Sequence, residues 1–152
     1  MVQGSPERFI SAFSDAMIAA QNMVVAAESL GMGTVYLGSI LNDNAKLSEL
    51  LKLPKYVYPA VGLAVGWPDQ EPQLKPRLPR HVIHMENYYK DLENPLAELK
   101  DYDAEVHEYY DLRDLNNRVD EFTTQIAKTM DKSVANRANT LKDLQKQGFF
   151  ID

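Results

Sequence analysis

The sequence predicts an α+β fold, with helices around a small antiparallel or mixed sheet and a helical C-terminal third. Three observations predict it. Apolar residues recur every three or four positions from Phe9 to Ala27, the period of one long amphipathic helix. Two short segments, Thr34–Leu37 and Val57–Val65, are rich in β-branched and aromatic residues, which suit strands. From about Asp91 onward the chain is acidic with helical periodicity.

Each element has a local cause. Ser5-Pro6-Glu7 supplies an N-cap, a proline at the first helical position and an acidic first turn. Phe9, Phe13, Met17, Ala20, Val24 and Ala27 then form the buried stripe, and Gly31 and Gly33 stop the helix. Gly38-Ser39 reads as a turn after the first strand. Asp43 or Asn44 caps a short helix carrying Leu47, Leu50 and Leu51, which ends before Pro54. Val57–Val65 is nearly unbroken in apolar residues and reads as a strand buried on both faces, with Pro59 near its start. His81–Met85 is a candidate third strand. Leu92, Leu96, Leu99, Val106 and Tyr110 mark the buried stripe of the acidic helix. Two further helices are predicted near Val119–Met130 and over Ser133–Gln147, the latter closed by Gly148.

Between the second strand and these helices lies Gly66-Trp67-Pro68-Asp69-Gln70-Glu71-Pro72-Gln73-Leu74-Lys75-Pro76-Arg77-Leu78-Pro79. Its prolines forbid a helix, since each lacks an N–H and biases its predecessor toward extended backbone. The segment is therefore a stiff extended connection. Lys75 and Arg77 are two apart, so in extended backbone they share a side and can converge on one anion. A planar fork beside a mobile ammonium suits a phosphate. The competing reading is a surface loop whose cations serve only solubility.

Composition narrows the rest. The 152 residues suit one domain, and 45% hydrophobic with 25% charged is ordinary for a globular chain. A net charge of −6 with scattered basic residues argues against a nucleic-acid partner. The absence of cysteine excludes disulfides, thiolate catalysis and cysteine-ligated metals. No signal core is visible and no unbroken apolar run has membrane length, so a soluble cytoplasmic protein is expected. His81, His84 and Glu86 fall short of the three or four well-placed ligands of a zinc site, and no metal is expected. The carboxylates from Glu98 to Glu108 read as a solvated helix face. Gly31-Met32-Gly33 precedes its strand instead of following it, so it is not a dinucleotide fingerprint.

Taken in order, these segments resemble a known family. Ala26-Ala27-Glu28-Ser29-Leu30-Gly31-Met32-Gly33, Val35-Tyr36-Leu37-Gly38, Gly66-Trp67-Pro68 and Leu74-Lys75-Pro76-Arg77-Leu78-Pro79 resemble the oxygen-insensitive NADPH nitroreductases and NADPH–flavin oxidoreductases of the nitroreductase superfamily. Glu108-Tyr109-Tyr110, Arg113 and Asn116-Asn117-Arg118 are similar too, and the likeness continues to Gly148-Phe149.

The resemblance implies a nitroreductase-like fold that binds FMN noncovalently, dimerises, and passes hydride from NADPH to nitroaromatics, quinones or flavins. By position it implies that Tyr36, Leu37, Gly38 and Ser39 lie along the flavin and that Lys75 and Arg77 hold its phosphate. Arg113 and Arg118 would meet the NADPH 2′-phosphate. No catalytic side chain is implied, because the cofactor carries the chemistry. Ser39 stands where many relatives have glycine, and a positive φ there would cost about 1 kcal/mol. The resemblance covers the C-terminal part of such an enzyme. The N-terminal segment that also grips the flavin in the family has no counterpart here. The expectation is therefore one nitroreductase-like domain over residues 1–152, paired with a second copy or with that N-terminal segment. The alternative is a noncatalytic flavin-binding or dimerisation module, or an inactive fragment.

Overall fold

In chain order the elements are helix α1 (Pro6–Ser29), strand β1 (Gly33–Leu37), a 3-10 turn (Gly38–Asn42), α2 (Asn44–Leu50), β2 (Gly62–Gly66), α3 (Arg80–Ile83), α4 (Pro95–Glu98), α5 (Lys100–Arg113), α6 (Phe122–Met130), a second 3-10 turn (Arg137–Asn139) and α7 (Thr140–Lys146). The computed structural model describes residues 4–113, 121–130 and 137–150, with the side chains of residues 110–113 left aside. These residues form two compact units, one from residues 4–70 with 137–150, the other from 71–113 with 121–130.

The first unit is built on α1. The Ser5 hydroxyl accepts from the Arg8 amide at 3.4 Å, and Pro6 occupies the first turn, as the sequence requires. The helix buries Ala20, Val24 and Ala27 and stops at Gly31, whose φ is +77°. Among the described residues α1 alone is long and apolar enough to cross a membrane by length and composition, a test that core helices of soluble proteins also pass.

Strands β1 and β2 pair antiparallel, with Gly33 opposite Gly66 and Leu37 opposite Gly62. The strand expected over Val57–Val65 is shorter and barer than its composition suggested. Only Gly62–Gly66 is strand, and Val57 and Val65 are exposed. Two facts explain this. Pro59 has no N–H to give a ladder, and the Tyr56 amide, at φ +64°, donates instead to the Gln147 carbonyl at 2.7 Å. Among the described residues the sheet has two strands, too few to bury both faces.

The C-terminal end closes this unit. Helix α7 ends as predicted at Gly148, with φ +93°. The Phe149 amide donates to Leu144 and the Gly148 amide to Gln145, the paired bonds of a Schellman cap. A side chain at Gly148 would also sit 2.9 Å from the Tyr56 ring. Phe149 and Phe150 pack edge-on against Phe9 at centroid distances of 5.2 and 5.3 Å, and Tyr58 adds a fourth ring at 6.1 Å. Asp43 caps α2 by accepting from the Lys46 amide at 3.0 Å. The short helix expected to carry Leu47, Leu50 and Leu51 is present, but Leu50 and Leu51 are exposed and α2 buries Asn44 and Ser48.

In the second unit Leu99, Tyr102 and Val106 form the core, with Leu78, Val82 and Phe122 packed against it. Tyr109 is also buried, whereas Leu96 is 70% exposed. The buried stripe is thus Leu99, just before α5, with Tyr102, Val106 and Tyr109 on α5; Leu99 and Val106 were expected, whereas Leu96 lies on the separate turn α4. Tyr110 lies outside the side chains described. Arg80–Ile83 is a helical turn, not the strand expected over His81–Met85. Asp103 is not simply solvated: its carboxylate accepts from the Thr123 amide at 3.0 Å and the Thr123 hydroxyl at 2.6 Å, capping the first turn of α6.

Asn44 is 3% exposed. Its amide donates to the Tyr58 hydroxyl, while its Oδ1 has no partner. Burial, and then the nearby Asp143 carboxylate, push the Tyr58 phenol above its usual 10.0, and the Asn44 bond opposes them. Tyr58→Phe should cost about 1–3 kcal/mol at neutral pH, since a buried amide donor loses its acceptor. The folded state holds the phenol proton more tightly than the unfolded state. That contribution is therefore present below about pH 10 and lost as pH rises through the folded value. Urea unfolding should show a large gap between variant and wild type at neutral pH that narrows in alkali.

Candidate functional site

The site residues fall in two segments, one in each unit. In the first unit the end of β1 runs into the 3-10 turn, so Tyr36, Leu37, Gly38 and Ser39 are consecutive and exposed. Tyr36 is fixed from α1: its hydroxyl donates to Gln21 Oε1 at 3.1 Å. A β-carbon added to Gly38 would meet nothing within 4 Å, so a flat group can approach this backbone closely. The turn itself is held from behind. Gly62 lies under it, and a β-carbon there would sit 2.8 Å from Ile40 Cγ2 and 3.1 Å from Leu37 Cβ. On another side Arg137 donates to the Gly38 carbonyl and to Asn42 Oδ1, each at 3.0 Å. Neither Gly62 nor Arg137 carried a signal in the sequence, where Arg137 falls within a plain predicted helix.

In the second unit the proline-rich segment is free of helix and strand, as its composition demands. Alternation gives it two sides. Leu78 packs on the core, and the Tyr102 hydroxyl donates to the Pro76 carbonyl at 3.4 Å. Lys75 and Arg77, the alternate residues, are exposed. Anchoring Pro76 and Leu78 inward thus directs both cations outward, the geometry an anion site requires.

Arg113 is the last residue of α5, its side chain not described, and Arg118 lies outside the described residues. His81, His84 and Glu86 line an open cleft with Glu98, where His81 Nε2 lies 4.0 Å from Glu98 Oε2. No three potential metal ligands gather there or elsewhere among the described residues.

Two family models match the chain: "Nitroreductase family" over residues 2–67 and "Nitroreductase family, C-terminal domain" over residues 75–152. The chain belongs to the nitroreductase family. It is 43% identical over 146 residues to the oxygen-insensitive NADPH nitroreductase of Salmonella typhimurium, which covers 96% of this chain and 59% of that protein. Among solved structures, B. megaterium NfrA2 superposes with a TM-score of 0.87 at 33% identity, covering 100% of this chain and 60% of that one. The NADPH:FMN oxidoreductase of Vibrio harveyi, complexed with NAD+, gives 0.84 at 32% identity, covering 98% and 59%. The chain thus spans about 60% of the length of these relatives. The nitroreductase fold expected from the motifs stands.

Within that fold the close approach at Gly62 has a measurable consequence. Gly62→Ala forces its methyl against the Cγ2 of a β-branched side chain that cannot swing away, and such overpacking typically costs about 1–3 kcal/mol. Urea denaturation of the variant should show a lower midpoint with an unchanged slope.

Proposed function

We propose that this chain is an FMN-dependent oxidoreductase that transfers hydride from NADPH to nitroaromatics, quinones or flavins. The observation that carries the reading is the outward display of Lys75 and Arg77 beside the anchored Pro76 and Leu78. It is supported by membership of a family with relatives named NADPH nitroreductase and NADPH:FMN oxidoreductase.

In this reading Lys75 and Arg77 hold the FMN phosphate, the arginine through its fork and the lysine as a point charge. Tyr36, Leu37, Gly38 and Ser39 lie along the ring, where the open side of Gly38 fits a flat group. Arg113 and Arg118 meet the 2′-phosphate of NADPH. When bound, FMN supplies the hydride chemistry, and the protein's residues bind, orient and shield it. Two copies of the chain form the working assembly. Exposed Ile18, Met23 and Val25 on α1 give such a pairing apolar surface. The reading also places the protein in the cytoplasm, where NADPH is available to it.

The test is flavin retention. The purified full chain, saturated with FMN and desalted, should keep a yellow chromophore that NADPH bleaches anaerobically. No retained flavin at micromolar protein would overturn the reading, and retained flavin that NADPH cannot bleach would leave a binding module. Lys75→Ala with Arg77→Ala should weaken FMN binding by about 10- to 100-fold, the worth of one or two charge-assisted bonds. Riboflavin, which lacks the phosphate, should be nearly unaffected. For Arg113→Ala, the apparent KM should rise for NADPH and stay level for NADH. Equal rises for both nucleotides would remove the 2′-phosphate role.

A further inference from the structure

Arg137 lies 99 residues beyond Gly38, yet its side chain closes on the turn that Gly38 begins. Its Nη2 donates to the Gly38 carbonyl and its Nε to Asn42 Oδ1, both at 3.0 Å. Nε and the adjacent Nη lie on one edge of the rigid guanidinium plane, so two acceptors on that edge fix both its position and its tilt. The acceptors belong to the first and last residues of the Gly38–Asn42 turn. The arginine is therefore a strut across the whole turn, and Ile40 resting on Gly62 braces it from another side.

We propose that Arg137 is a positioning residue for the flavin ring. This rests on the reading of Tyr36–Ser39 as the ring-lining segment. The Gly38 carbonyl is turned onto the guanidinium, and that orientation decides what Gly38 and Ser39 present to a ring. Without the strut, the glycine backbone samples many other conformations. Arg137 acts through the turn, not by touching the phosphate. Its loss must therefore weaken all flavins alike, unlike loss of Lys75 and Arg77. A lysine keeps the charge but cannot present two parallel donors from one plane, so Arg137→Lys should resemble Arg137→Ala.

The experiment measures FMN and riboflavin binding to the full chain by flavin fluorescence, with the visible absorption band of the bound flavin recorded at saturation. Arg137→Ala and Arg137→Lys should each weaken FMN and riboflavin by the same factor, about tenfold, and shift the visible band of the flavin still bound. Asn42→Ala should do the same to a smaller extent, and combining it with Arg137→Ala should add nothing further. Asn42→Ala also serves if the arginine variants fold poorly. Unchanged affinities with an unchanged band overturn the proposal. So does a loss confined to FMN, which would make Arg137 a phosphate ligand, and so does full rescue by lysine. A wild-type chain that binds neither flavin overturns the cofactor reading and this proposal with it. A wild-type chain that binds both, with variants indistinguishable from it, overturns only the role of Arg137.

Discussion

The first unit depends on the seating of the chain's C-terminal end against the start of α1. The Phe150 amide donates to the Gly4 carbonyl at 2.8 Å, and Phe149 and Phe150 pack on Phe9. Aromatic pairs in edge-on contact contribute about 0.5–1.5 kcal/mol each beyond their burial, and Phe9 makes three of them with Tyr58, Phe149 and Phe150. The consequences spread from there. The Gln147 carbonyl takes the Tyr56 amide, which draws residues 54–60 out of the sheet and leaves β2 short. Seating α7 also seats the turn that precedes it, and only then can Arg137 reach Gly38 and Asn42.

This dependence explains what the sequence could and could not disclose. Features set by neighbours in sequence were legible: Ser5-Pro6-Glu7 opening α1, Gly31 and Gly148 closing α1 and α7, and prolines keeping 67–79 out of helix. Features set by distant contacts were not. The run Val57–Val65 has the composition of a buried strand, but the backbone leading into it is turned aside: the Tyr56 amide donates to the Gln147 carbonyl and the Val57 amide to the Pro54 carbonyl. Asp103 looked like one of many solvated carboxylates, yet it caps a helix that begins 19 residues later, at Phe122. His81–Met85 read as a strand because its alternation is short, while Pro79, at φ −55°, starts a helical turn at Arg80. The candidate ligands were legible as contiguous strings, 36–39 and 75–77. The residues that hold those strings in place were not.

The proline-rich segment shows the same division of labour within the second unit. Its prolines make it extended without help from the rest of the fold, but stiffness alone does not aim a side chain. Aim comes from Pro76 and Leu78, tied to the Tyr102–Val106 core through a hydrogen bond and packing. The segment spans the point where the two units divide, after Gln70, and the gap between the two family matches, 68–74, while Lys75 and Arg77 fall within the second unit and the second match. The part of the segment that carries Lys75 and Arg77 thus begins just past the boundary between the two units, where an ordinary linker is commonly rich in small polar residues.

The Gly38–Asn42 turn poses the opposite problem, and its solution follows from entropy. Gly38 offers open space on one side because it has no side chain, and the same absence frees its backbone. Ordering one residue costs roughly 1–2 kcal/mol, and glycine stands at the high end. If binding had to order the turn, that cost would come out of cofactor affinity. Bracing it beforehand, with Arg137 across its ends and Ile40 against Gly62, moves the cost into folding. There the aromatic contacts at the chain's two ends help to offset it. If the turn lines a flat ring as proposed, the open glycine and an arginine 99 residues away are two halves of one requirement: a surface bare enough to admit the ring and fixed enough to hold it in one orientation.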